Sequence, residues 1–168
     1  MTGPPPPAVS FWRRRVVAPI TTQLTLGATP DRLAFTVAVG ATAAIFPLLG
    51  ATTAVTLVAG LSLRLNQVVL HTINQLLGPV QLALILVYVR AGEWLWRTPA
   101  DDFSVADVVR TFHASGLGDF LRRFGWAGVH AVSAWALSAP LVAGAVYLVA
   151  RPPIARLAGA TRSLARAP

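Results

Sequence analysis

Two apolar stretches, residues 33–63 and 68–96, are each interrupted near the middle by proline and glycine, and they constrain this chain most. A soluble core has no use for apolar runs of roughly thirty residues, whereas a helix must bury about 20 to cross about 30 Å of hydrocarbon. As one straight helix, residues 33–63 would reach about 46 Å, too long for a single crossing. Pro47 and Gly50 therefore read as the tip of a helical hairpin or a sharp kink, and Gly78 with Pro79 sits similarly in the second stretch. Broken backbone at membrane depth persists only where protein or water answers the freed groups, so both breaks are functional suspects. The expected fold is an all-α membrane protein, with Pro/Gly-broken helical hairpins followed by a C-terminal transmembrane helix.

Composition agrees. The chain is 55% hydrophobic and only 12% charged, with a mean hydropathy of +0.62, outside the range of ordinary soluble domains. Its 168 residues fit one domain, and the lack of cysteine excludes disulfides, thiolate metal sites and cysteine nucleophiles. The net charge of +8 raises nucleic-acid binding. However, the positive side chains are all arginines that flank apolar segments instead of alternating with stacking aromatics, so no nucleic-acid partner is expected.

Residues 1–28 divide into a proline-rich start, expected to be disordered, and a basic interfacial segment opened by Phe11, Trp12 and Arg13 to Arg15. The apolar part that follows is interrupted by Pro19, Thr21, Thr22 and Gln23, which makes a poor signal-peptide core. Residues 29–96 form the core of two broken apolar segments. Thr29, Pro30 and Asp31 read as a helix start, and Asn66 as an N-cap accepting from the N–H of Val68 or Val69. Ala34, Ala38, Gly40, Ala43 and Gly60 offer small faces for close helix approach, although each alone is ordinary packing. Residues 97–125 read as an amphipathic surface helix and loop, with Val105, Val108, Val109 and Phe112 as its apolar face. Residues 126–150 make a complete span with a kink at Pro140, and 151–168 a basic tail. Arginine-rich ends place both termini in the cytoplasm, so crossings are even in number. With one crossing over 126–150, the front half must cross an odd number of times. Either one hairpin is re-entrant and the other a kinked span, or both are asymmetric.

The most specific local pattern lies between the breaks. At about 100° per residue, Arg64, Gln67, His71, Asn74, Gln75, Gly78 and Gln81 share one sector of roughly 120° in an otherwise apolar helix. Such a stripe should face protein or a wet cavity, because lipid leaves amides unsatisfied. Two roles compete: these side chains line a polar path, or they hydrogen-bond the broken backbone of the first hairpin. His71 is a candidate proton relay, but a lone histidine is more often a structural donor or acceptor. For Arg64, snorkelling to the interface is the bland account and holding the carbonyls of the first hairpin the sharper one. Arg90 and Glu93 are spaced for a surface ion pair beside an aromatic belt of Tyr88, Trp94 and Trp96.

Taken in order, these residues resemble a known bacterial membrane family, catalogued as domain of unknown function 2062. The resemblance rests on Pro30 with the small-residue helix after it, the Pro47 to Gly50 break, and Arg64, Leu65 and Asn66. Pro79, then Ala91, Gly92 and Glu93, a last apolar helix and a basic tail complete it. It covers roughly residues 29–156. Two departures stand out: Gly78 occupies the place of a usual Asn, and Ala51 and Thr52 that of a usual Gln, leaving Asn74, Gln75 and Gln81 as substitutes. The resemblance implies an inner-membrane protein without an assigned activity, with a weak link to envelope lipid or polysaccharide work.

Catalysis is not expected. His71, His113 and His130 are scattered, and nothing resembles a nucleophile elbow, a phosphate loop or a metal set, so no catalytic, cofactor or metal residue is assigned. One expectation is a small inner-membrane transporter or flippase for an anionic solute or lipid headgroup, with half-helix N-termini at the midplane and a homodimer enclosing the path. The alternative is a non-catalytic structural or assembly protein of the envelope, in which the breaks only pack helices and the polar stripe meets a partner.

Overall fold

The computed structural model describes residues 18, 22, 28–99, 104–114 and 117–165. Among them the only regular elements are helices: α1 (Pro30–Ala44), α2 (Thr52–Ser62), α3 (Gln67–Trp96), α4 (Val105–Ala114) and α5 (Leu117–Ala165). The proline-rich start and most of the basic segment lie outside the described residues, as do the side chains of Val105, Val108, Val109 and Phe112.

Helix α1 begins as its sequence dictates. Thr29 has extended backbone and its hydroxyl accepts from the Arg32 N–H at 3.3 Å, while Pro30 fills the first turn, where a missing N–H loses nothing. The helix stops before Pro47, which lacks an N–H and would clash with the carbonyl four residues back. Residues 45–51 are non-helical, and Gly50 turns the chain at φ 79°. Helix α2 ends in a Schellman motif: Leu65 N–H donates to Gly60 O at 2.8 Å and Arg64 N–H to Leu61 O at 3.2 Å, with Arg64 at φ 52°. Asn66 then caps α3, its Oδ1 accepting from Val69 N–H at 3.1 Å.

Contacts fix the directions of the helices. Leu33 and Ala34 pack with Val69 near the start of α3, and Gly40 faces Leu70 and Ile73. The Gln81 side chain reaches the carbonyl of Phe46. Helices α1 and α3 therefore run parallel, with α2 returning between their levels. Helix α5 runs against both: Asp31 meets Arg151, Thr42 meets Trp135, and Gly92 meets His130. Two apolar clusters hold the bundle. One joins Leu33, Ala34, Val69 and Ile154 at the base, and the other Ile45, Ile85, Tyr88, Val89, Ala131 and Ala134 beyond the hairpin tip.

Two expectations are corrected. Gly78 and Pro79 do not break the second stretch: α3 is one helix of 30 residues with Pro79 inside it. Pro79 is exposed and a Cβ on Gly78 would meet nothing within 4 Å, so the ring finds room and α3 forgoes one hydrogen bond without turning. The last helix does not end near Ala150 but continues through Pro152 and Pro153 to Ala165. Ile154 and Ala158, 4% and 5% exposed, are buried beyond that point, and tertiary burial outweighs the helix-stopping tendency of the two prolines.

An ion pair ties the ends together. Arg151 Nε donates to Asp31 Oδ1 at 2.7 Å and the Tyr147 hydroxyl to the same oxygen at 3.3 Å. Both charged side chains are more than half exposed, so screening leaves the pair worth at most about 1 kcal/mol. Asp31→Asn is accordingly expected to lower stability by less than about 1 kcal/mol in a detergent melt. A loss several times larger would mean that the pair is sealed from water.

Candidate functional site

The α1–α2 hairpin and α3 meet along a seam that carries half of the polar side chains expected from the sequence. On α2, Thr52, Thr56 and Gly60 recur every fourth residue and are buried. On α3, Gln67, Asn74 and Gln81 recur every seventh, with Asn74 and Gln81 buried and Gln67 half-buried. The two rows face one another where Gly60 meets Gln67: a Cβ on Gly60 would overlap the Gln67 amide.

The seam is satisfied at one end and open at the other. Gln81 Nε2 donates to Phe46 O at 3.0 Å and to Leu48 O at 3.5 Å, and the Leu48 carbonyl also accepts from Ala51 N–H at 3.3 Å. The tip is also held from α5. Trp135 Nε1 donates to Thr42 O at 3.0 Å, and its ring meets Phe46 edge-to-face at 4.9 Å. Toward the base, Gln67 Nε2 and Oε1 and the Thr56 hydroxyl are sealed from solvent and have no hydrogen-bond partner among the described residues. Buried polar groups are almost always paired, so this trio marks a place where something polar belongs.

The remaining members of the expected stripe lie elsewhere. His71 and Gln75 are exposed on the flank of α3 away from the hairpin. Arg64 is exposed in the turn between α2 and α3, where its carbonyl, not its guanidinium, joins the hairpin by accepting from Arg32 Nη2 at 2.7 Å. Pro47 is buried at the tip and Gly50 exposed. The expected surface pair of Arg90 and Glu93 is present at 2.9 Å, but Glu93 is only 5% exposed.

Sequence reasoning missed Thr56, Arg32 and Trp135. The recurrence of Thr52, Thr56 and Gly60 at every fourth position was a readable signal for one face of a helix. The Trp135 contact spans 93 positions and had none. Among the described residues no three His, Asp or Glu side chains gather. The seam offers amides and hydroxyls, which suit hydrogen bonding to a polar group more than ligation of a metal.

No curated protein and no solved structure matches this chain. A family model does, over residues 14–163, and that span takes in the hairpin, the seam and nearly all of α5. The chain therefore belongs to the bacterial family described as uncharacterized protein conserved in bacteria (DUF2062).

Proposed function

We propose that this is a two-crossing protein of the bacterial inner membrane in which the α1–α2 hairpin is re-entrant and carries a small or lipid-linked anionic solute along its seam with α3. Among the described residues two helices are long and apolar enough to cross a membrane: α3, and residues Phe124–Ala160 within α5. Their outer surfaces suit lipid, since Leu137, Leu141, Leu148 and Val149 are each two-thirds or more exposed. Helices α1 and α2, about 22 and 16 Å long, are too short to cross. Gln81 stands about 21 Å along α3, which supports a tip near the middle of the bilayer.

The ends differ as membrane faces do. Exposed Trp94, Trp96 and Trp126 collect where α3 ends and α5 begins, as in an interfacial aromatic belt. At the other end Arg32, Arg64, Arg151 and Arg156 are exposed, and this base is the cytoplasmic side by the positive-inside rule. A second copy laid against α3 would cover His71 and Gln75, which lipid would leave unsatisfied.

The observation that carries the reading is the unanswered trio of Gln67 and Thr56 atoms inside the seam. A seam that only packed helices would bury small apolar groups, because an unpaired amide in hydrocarbon is costly. The Gln81 bond to the tip favours a second reading, a fixed scaffold for envelope assembly. The cysteine-free chain separates the two. Thr56→Cys and Asn74→Cys should react with a membrane-impermeant thiol reagent from the cytoplasmic side, at rates comparable to Arg64→Cys. Silence at both, with Arg64→Cys labelled, would leave the scaffold.

A further inference from the structure

The base of the hairpin gathers positive charge at the end of the seam. Arg32 and Arg64 are held together there by the Arg32 Nη2 bond to Arg64 O, and both side chains are exposed. The carboxylate next in sequence to Arg32 is already engaged, since Asp31 accepts from Arg151 and Tyr147. Among the described residues nothing pairs with the Arg64 guanidinium. Its backbone is also unusual: at φ 52° in the Schellman position, glycine is the unstrained choice. A cation near the last carbonyls of α2 gains something from the helix dipole. Arg97 has the same geometry at the far end of α3, with φ 54° and Thr98 N–H donating to Glu93 O at 3.0 Å, and so provides an internal control.

Inward from these arginines sit polar atoms that are sealed and have no partner among the described residues. The Gln67 amide lies against Gly60, one turn from Arg64, and Thr56, fully buried, is one turn deeper on the same face of α2. Two guanidiniums call for a phosphate or carboxylate, and the planar fork favours phosphate oxygens. An amide and a hydroxyl, uncharged and offering both donors and acceptors, call for hydroxyl groups. A bare inorganic anion answers the first set and leaves the second unmet.

We infer that the hairpin base binds a phosphate ester bearing neighbouring hydroxyls, of the phosphoglycerol type, with Arg32 and Arg64 on the phosphate and Gln67 and Thr56 on the hydroxyl. This deepens the carrier reading and rests on it. The same chemistry is presented by a phosphatidylglycerol headgroup in the bilayer and by soluble glycerol phosphate.

The test is equilibrium binding by the full chain in lipid nanodiscs, followed by native mass spectrometry without any gradient. Retention of phosphatidylglycerol over phosphatidylserine, which carries the same net charge, is expected. Arg64→Gly should weaken phosphatidylglycerol retention about tenfold or more, as expected for a lost charge-assisted hydrogen bond. Its melting temperature should hold or rise, since glycine suits φ 52°. Arg97→Gly should leave retention unchanged. Gln67→Leu should keep the attraction to anionic lipid but erase the preference for phosphatidylglycerol. Displacement by soluble glycerol phosphate assigns the site to the free ester, and failure to displace assigns it to the lipid; both outcomes support the site. Equal retention of the two lipids by the unaltered chain, or unchanged retention by Arg64→Gly, overturns it. A chain that binds selectively while its seam stays silent to thiol reagents loses the carrier reading alone.

Discussion

Gly92→Val is expected to yield no folded protein, the largest effect of any single substitution considered. A Cβ at this position overlaps the backbone of His130 at its carbonyl oxygen and carbon, so α3 and α5 touch main chain to main chain. A flexible side chain can swing away from an intruding methyl; a helix backbone cannot. Relief requires parting the helices, and that opens the cluster of Ile85, Val89, Ala131 and Ala134 beside the contact. Overpacking with side chains to yield costs about 1–3 kcal/mol. Gly92→Ala should lose at least that much, and the two extra methyls of valine should exceed a stability of about 5–15 kcal/mol when combined with the broken cluster. The measurement is the monodisperse fraction after detergent extraction, with the thermal midpoint of any recovered protein. A valine variant that melts like the unaltered chain would show that the two helices do not meet here.

Gln81→Leu comes second. Leucine nearly preserves volume while removing the donor that serves both Phe46 O and Leu48 O. Leu48 O keeps its bond from Ala51 N–H, so one carbonyl, Phe46 O, loses its donor, and the variant should be destabilised by about 1–3 kcal/mol. Gln81→Glu should be worse, because it turns an acceptor toward two acceptors. The loss should localise at the tip: Leu48 would become reactive as a cysteine in the Gln81→Leu background while positions along α5 would not. Full stability of Gln81→Leu would mean that water already reaches the tip carbonyls.

The two prolines show where local chemistry decides structure and where it does not. Helix α1 ends ahead of Pro47, where Gly50 supplies a left-handed turn three residues on and Gln81 donates to the Phe46 carbonyl. Pro79 has a similar sequence signature but no turning residue after it, and its ring lies on an exposed face. The helix absorbs the missing bond. What differs is the partner available to the interrupted backbone, and Gln81 sits 35 residues from Phe46. The caps at Thr29 and Asn66 were legible because capping is a matter of neighbouring residues.

The polar stripe was legible as a sector but not as a site. At about 100° per residue, Gln67, Asn74 and Gln81 drift only about 40° over two heptads, whereas His71 and Gln75 stand about 40° and 80° to the other side. The hairpin is narrow and covers the first three alone. A helical wheel gives the angle of each side chain, but the width of the facing surface is set by α1 and α2 together, and no local spacing encodes it. The extension of α5 past Ala150 was hidden for the same reason: the base cluster of Leu33, Ala34 and Val69 that receives Ile154 is assembled from distant segments.

The order in which the chain is made bears on how the hairpin reaches its place. Everything that holds the tip is synthesised after it: Gln81 of α3, then Trp135, whose indole donates to a carbonyl 93 positions earlier. Until those residues emerge, α1 and α2 have neither the length to cross a bilayer nor the Gln81 donor for the Phe46 carbonyl. In the re-entrant reading the hairpin therefore waits at the membrane surface and sinks only as α3 and α5 close around it. The last helix to leave the ribosome is then the one that completes insertion of the first.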